Sequence, residues 1–271
     1  MVATQDRLLA VHGSSTKRTR RHAALLDLVA ERGSVGLAEL CETLRISAAT
    51  GRRDLTELAA QGLLIRTHGG ATVRAGQTEL PVALRDTRFA EAKRKIARAM
   101  VARLPTERCV IALSGGTSTA GVARELADHR DMTVVTNSLT IAGLLAGKNG
   151  VRVVMTGGFL RPQSLELVGA LAEHTFNAVN VGTAILGADG ISAASGVTTH
   201  DETEARTNQA MVAKAQRTVV VADGSKVGRI ALAQMATIGQ VAMLITDSSA
   251  DAHELDQLRA AGVEVVLADE S

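Results

Sequence analysis

The side chains best suited to chemistry fall in two places. After Ser47 a helical stretch carries Thr50, Arg52 and Arg53, hydroxyl and guanidinium groups of the kind that reach phosphates and guanine edges. Further along, five short apolar runs each end in a small polar loop. These loops are Ser114-Gly115-Gly116-Thr117-Ser118-Thr119, Thr136-Asn137-Ser138, Thr156-Gly157-Gly158, Gly187-Ala188-Asp189-Gly190 and Asp223-Gly224-Ser225-Lys226. A Gly/Ser/Thr turn that follows a strand and opens a helix can direct backbone N–H groups at an anion. Lys226 would supply the charge that N–H groups lack. Five such loops in register point to a pocket of the phosphate-binding type.

Other chemistries lack their residues. The Gly115 to Gly121 stretch does not have G-x-G-x-x-G spacing, and Gly143 to Lys148 is one residue short of a P-loop and lacks the following Ser/Thr, so no nucleotide cofactor is expected. His200-Asp201-Glu202 is a polar cluster, but the seven histidines are scattered and no metal site is expected. Cys41 and Cys109 sit far apart in unrelated contexts and read as core residues of a protein in a reducing interior.

The elements that must position these groups divide the chain. From about Arg20, Leu25, Leu26, Leu28 and Val29 form a helical stripe ended by Glu31-Arg32-Gly33. Leu37, Leu40, Cys41 and Leu44 form a second, short helix, and Ser47 is the expected N-cap of a third that runs to Gln61-Gly62. Leu63 to Arg66 then reads as a strand, turned by Thr67-His68-Gly69-Gly70 toward a partner at Ala71-Thr72-Val73. Three helices and a hairpin make a winged helix-turn-helix over residues 20–73. On the third helix Leu55, Leu58, Gly51 and Ala48 share the buried face, while Ala49, Thr50, Arg53 and Thr56 lie opposite, Arg52 flanks the boundary, and Asp54 is placed to orient an arginine. Residues 74–91 read as a linker and residues 1–19 as a basic arm, and the run from Lys17 to Arg21 at its end, with Lys17, Arg18 and Arg20, could follow a phosphate backbone.

From Lys93 a charged amphipathic helix leads into alternating strands and helices. Strands are expected at Cys109–Leu113, Thr133–Thr136, Val151–Thr156, Ala184–Leu186, Thr218–Ala222, Ala242–Thr246 and Val263–Leu267. Short buried strands separated by helix-length segments imply a Rossmann-like, mostly parallel α/β unit over residues 92–271.

Composition narrows the function classes. With three Phe and no Tyr or Trp, the chain has almost no rings on which to stack the bases of a single strand, so a partner nucleic acid should be duplex. The net charge of +2 is unevenly spread: residues 1–74 hold eleven Lys/Arg against seven Asp/Glu, whereas the remainder holds nineteen against twenty-one. The basic excess lies where a polyanion would be read. No long apolar run suggests a membrane span or a secretion signal, and the cytoplasm is the expected location.

The stretch Leu37-Ala38-Glu39-Leu40, Ile46 to Leu55 with its Thr50-Gly51-Arg52-Arg53-Asp54-Leu55 core, and Gly62 through His68-Gly69-Gly70-Ala71 resembles the signature of the DeoR family of bacterial transcriptional regulators. Gly51 departs from the branched apolar residue usual there, and the expectation is a gap beneath the helix. Leu84 to Asp247, including the Gly116–Thr119 loop, Thr136-Asn137-Ser138, Gly157-Gly158, Gly187-Ala188-Asp189-Gly190 and Ser225-Lys226-Val227-Gly228-Arg229, is similar to the sensor domain of the same family, which is related to ribose-5-phosphate isomerase.

The resemblance implies a repressor of carbohydrate-metabolism genes, relieved by a phosphorylated sugar. It implies that Ser47, Ala49, Thr50, Arg52, Arg53, Arg66 and His68 face double-stranded operator DNA. Gly116, Thr117 and Ser118 would meet the phosphate; Thr136, Asn137, Ser138 and Gly157 would line the pocket; Lys226 would pair with the anion or a hydroxyl. Asp189 and Glu204 would be polar partners. Relatives often carry Asp where this chain has Ser114, and again near Gly182, which leaves the sugar open. An isomerase would need a second acidic pair after Gly187-Ala188-Asp189, where Gly190-Ile191-Ser192 stands, so no enzyme is expected. Operator half-sites imply a homo-oligomer, dimer or tetramer.

Overall fold

A computed structural model of the chain describes residues 16–72, 82–86, 89–105, 107–126 and 131–269. Contacts divide it into two units, Met1–Arg88 and Phe89–Ser271.

In the first unit, helix α1 (Thr16–Arg32) turns Leu25, Leu26, Leu28 and Val29 inward. It begins earlier than expected: Lys17, Arg18 and Arg20 belong to its exposed first turns and are not part of an arm ahead of it. Residues 1–15, with the rest of the expected arm, lie outside the described residues. Strand β1 (Ser34–Gly36), α2 (Leu37–Thr43), α3 (Ala48–Ala60), β2 (Ile65–Thr67) and β3 (Gly70–Thr72) follow. The wing has three strands in the order β1-β3-β2, all antiparallel, where sequence gave a two-stranded hairpin. Val73 falls outside the described residues, and the expected linker contains a short helix, α4 (Val82–Arg85). Leu40, Leu55 and Leu58 close the core with Leu25 and Val29.

Two details of α3 correct the wheel. Ala48, at its first position, is exposed. Under Gly51 there is no gap: a Cβ there would stand 3.0 Å from both Cys41 Sγ and Leu37 Cδ1, because α2 has moved into the space a side chain would fill. Glycine here permits close helix approach.

The second unit opens with α5 (Ala90–Val101) and is built on β4 (Cys109–Leu113), α6 (Thr117–Glu125), β5 (Met132–Thr136), α7 (Leu139–Leu145), β6 (Val151–Met155), the hairpin β7 (Phe159–Arg161) and β8 (Glu166–Val168), α8 (Ala170–Asn177) and β9 (Val181–Leu186). It continues with β10 (Gly190–Ser192), β11 (Gly196–Thr199), α9 (Glu202–Ala213), β12 (Ala215–Val221), a 3-10 turn at Gly224–Lys226, β13 (Ala233–Ala236), β14 (Met243–Thr246), α10 (Ala252–Ala260) and β15 (Glu264–Leu267). Seven strands form a parallel sheet in the order β15-β14-β12-β9-β4-β5-β6. β10, β11 and β13 form a small antiparallel sheet.

Successive side chains of a strand point to opposite faces, and here both directions are apolar. Ile111, Val134, Ile185, Val219 and Ile245 pack with Ile96, Met100, Val122 and Leu126 on one face. Ala112, Val135, Leu186, Val220 and Leu244 pack with Phe176, Met211 and Leu258 on the other. The strand order reverses between β4 and β9: later strands run outward from β4 on one side and from β9 on the other. A crevice at the carboxyl ends of these two strands is where an open α/β sheet receives a ligand.

Candidate functional sites

On the first unit, Ser47 caps α3 by accepting the Thr50 N–H at 3.2 Å, and the two hydroxyls lie 2.9 Å apart. Ala49, Arg52 and Arg53 are exposed on the outer face, and Thr50 is half-buried. Among the described residues no carboxylate pairs with Arg52 or Arg53, so both guanidinium groups face solvent with their donors uncommitted to an acid. Thr56 Oγ1 donates to the Arg52 carbonyl at 2.8 Å and accepts from Arg66 Nη1 at 2.9 Å, which ties the wing to the helix. His68 is exposed at the β2–β3 turn.

Asp54 faces inward and is 1% exposed. Its carboxylate receives Arg21 Nε at 2.5 Å and Nη2 at 2.9 Å, and lies 3.1 Å from His22 Nε2. Burial opposes its charge, but the hydrogen bonds from Arg21 and His22 outweigh that and hold the carboxyl below the usual carboxylate range. The arginine that Asp54 orients is therefore Arg21 of α1, not a neighbour on α3. Glu57 joins the cluster, with His22, Asp54 and Glu57 offering ligand atoms within 4.8 Å of one another. Arg21 and, at 3.8 Å from Glu57, Arg18 supply the positive charge these acids require.

On the second unit, all five polar loops follow parallel strands and so lie at one end of the sheet. The β4 and β9 loops are joined directly: Ser114 Oγ accepts the Gly187 N–H at 3.0 Å. Gly116 N-caps α6, and the N–H groups of Thr117 and Ser118, in its first turn, have no partner within the helix. Thr136 Oγ1 donates to the Leu113 carbonyl at 2.8 Å, and Ser138 caps α7. Asn137 between them is fully buried, yet among the described residues neither polar atom of its side chain has a hydrogen-bond partner. Gly157 is exposed in the loop of the edge strand β6, two strands away from β4, and stands at the rim.

A second group links Asp189, Glu204 and Lys226. The Thr199 hydroxyl lies 2.7 Å from Glu204 Oε1 and 3.1 Å from Asp189 Oδ2, and Lys226 Nζ is 3.9 Å from Asp189 Oδ1. Sequence reasoning missed two members of this site, Arg161 and Glu166. Arg161 sits 3.2 Å from both Glu204 Oε2 and Asp201 Oδ2. Glu166, 2% exposed, accepts the Gly115 N–H at 2.6 Å. Burial, and then the charge of Glu166, push the Glu204 carboxyl well up. Both missed residues lie on three-residue strands too short to show a period, in a stretch that reads as a polar loop. A depression of about 550 Å³ lined by Arg108, Asp131 and Arg152 lies at the opposite, amino-terminal end of β4–β6.

A winged helix-turn-helix with free arginines on its third helix, in one chain with a doubly covered parallel sheet, defines a two-part DNA-binding regulator. Residues 21–76 match the DeoR-like helix-turn-helix domain, and residues 88–248 match the DeoR C terminal sensor domain. The chain belongs to the DeoR family: it is a DNA-binding transcriptional regulator and not an enzyme.

It is 33% identical over 232 residues to the glycerol-3-phosphate regulon repressor of Escherichia coli strain K12, covering 86% of this chain and 92% of that one. It is 36% identical over 247 residues to the HTH-type transcriptional regulator GlpR of Haloferax volcanii, covering 91% and 96%. It is 30% identical over 251 residues to the HTH-type transcriptional repressor GlcR of Bacillus subtilis, covering 92% and 96%. Among solved structures, ribose 5-phosphate isomerase A of Methanocaldococcus jannaschii aligns with a TM-score of 0.38 at 18% identity, over 51% of this chain and 54% of that one. No described helix is long and apolar enough to cross a membrane.

Proposed function

We propose that the chain is a cytoplasmic repressor of carbohydrate-metabolism genes that releases its operator when a phosphorylated sugar enters the loops at the carboxyl end of the parallel sheet. The printed names of its relatives, a glycerol-3-phosphate regulon repressor among them, support the gene class. The observation that carries the effector is the β4 loop itself: its Gly115 N–H already holds a carboxylate oxygen at 2.6 Å, so the loop is shaped for an anion.

In this reading Gly116, Thr117 and Ser118 hold the phosphate, and Asn137 gives its unpartnered amide to the sugar, flanked by Thr136 and Ser138. Lys226, Asp189 and Glu204 take hydroxyls or the anion, and Gly157 borders the entrance. Arg52 and Arg53 read base edges or phosphates; Ser47, Ala49, Thr50, Arg66, His68, Lys17, Arg18 and Arg20 contact the backbone or approach it closely. A homo-oligomer presents two such heads to two half-sites.

The test is a panel of triose, pentose and hexose phosphates, scored first by the shift in melting temperature and then by release of duplex operator, selected from a random pool, in a gel assay. At least one sugar phosphate should raise the melting temperature and release the DNA. Lys226→Met should abolish release while leaving effector-free DNA binding intact. A chain that ignores every phosphorylated sugar, or holds DNA equally well with and without it, overturns the proposal.

A further inference from the structure

Glu166 is the residue that neither the operator nor the sugar accounts for. Its strand is held in place by main-chain contacts: Leu167 N–H donates to the Asn137 carbonyl at 2.7 Å, and Ser138 bridges to Glu166 itself. From there the side chain reaches across to the β4 loop, where its carboxylate takes the Gly115 N–H. Contact is so close that any side chain at Gly115 would collide with the Glu166 carboxyl. The unpartnered Asn137 amide, fully buried and one residue from the Ser138 bridge, marks the same place as one built to meet a ligand.

The charges around the seat do not favour a second anion. The neighbouring cations are already matched with acids: Arg161 lies 3.2 Å from both Asp201 and Glu204, and Lys226 Nζ lies 3.9 Å from Asp189. A phosphate placed on the first turn of α6 with Glu166 still in position would meet a buried carboxylate a few ångströms away, and like charges so placed repel.

Resting on the effector reading above, we propose that Glu166 is a built-in competitor for the effector's phosphate: its carboxylate occupies the anion seat at Gly115 in the empty sensor, and the incoming phosphate must displace it. The side chain thereby sets the concentration at which the regulator responds.

The experiment titrates the full-length chain with inorganic phosphate, and with the sugar phosphates of the panel, by calorimetry at neutral pH. Glu166→Gln keeps the shape and removes the charge; Glu166→Asp keeps the charge and withdraws it by one methylene. Unaltered melting of the ligand-free variants shows that they fold. Glu166→Gln should bind inorganic phosphate about tenfold more tightly or better, with Glu166→Asp between it and the wild type. If the wild type binds and Glu166→Gln binds equally or more weakly, Glu166 is a bystander or an effector ligand and the competitor role is overturned, with the effector reading left standing. If neither the wild type nor the variants bind any phosphate, both fall together.

Discussion

Asp54→Ala is the perturbation whose cost follows most directly from the geometry. It removes at once the acceptor of two Arg21 hydrogen bonds and of the His22 contact. Truncating one member of a buried ion pair costs about 3–5 kcal/mol, because the charge left behind is unpaired. The Arg21 side chain is a quarter exposed and can turn to water, whereas that of His22 is 7% exposed and cannot. The expected loss is therefore about 2–3 kcal/mol.

Hydrogen exchange of the full-length chain is the suitable assay, since it reads each segment separately. Protection of α1 and α3 should fall by a factor of about 30–150, and protection of β4, β9 and β12 should not change. Asp54→Asn, which keeps the shape and one possible bond to His22, should lose about half as much free energy. The sign with pH also follows. A carboxyl held below its ordinary value of about 3.9 contributes stability that is present above that value and disappears as pH falls through the lower, folded one. Wild-type α1 and α3 should therefore lose protection on acidification below about pH 4, and Asp54→Asn should lack that component. Unchanged protection of α1 and α3 in Asp54→Ala would refute the idea that this acid fastens the two helices together.

Two further perturbations probe packing and protonation. Gly51→Ala should gain about 1 kcal/mol of helix propensity but lose more by pressing on Cys41 Sγ and Leu37 Cδ1, and Cys41→Ala in the same chain should restore stability. A denaturant double-mutant cycle would then give a coupling of about 0.5–2 kcal/mol, and strict additivity would mean that α2 does not press there. Glu204 has its folded pKa raised, by burial first and then by Glu166, so its contribution is fully present below about pH 4.3 and is lost as pH rises through the higher folded value. The wild type should consequently lose unfolding free energy as pH rises above about 4.3, and Glu204→Gln should flatten that slope; equal slopes would place the proton elsewhere.

The parts of this structure that were legible in the sequence share a physical cause. Each of the seven expected runs became one strand of the parallel sheet, because a strand covered on both faces must be apolar at every position and so stands out without any periodicity. Helix α3 was legible through its Ser47 cap and through the spacing of Leu55 and Leu58. What stayed hidden depends on partners distant in sequence. Ser34–Gly36 becomes a strand only because β3 returns beside it 36 residues later. Asp54 reads as a residue that orients an arginine, but which one shows only when Arg21, 33 positions earlier, closes on it. The first turns of α1 carry so many charges that no apolar stripe announces them.

Glu166 is the sharpest case of that kind, and it bears on how a sensor of this type is tuned. A protein whose binding-competent state is only fractionally populated binds with an affinity reduced by that fraction. If the carboxylate holds the Gly115 seat about 99% of the time, the apparent dissociation constant rises about a hundredfold above that of the open seat. The loops at the end of the sheet can then keep many well-placed contacts, and with them discrimination among sugars, while the threshold is set separately by one acid on β8. Substitution at that single position would move the threshold without rebuilding the pocket. In this reading the loops that would recognise the sugar and the acid that would resist its phosphate lie on different elements, so most of the sugar contacts would survive a change at Glu166.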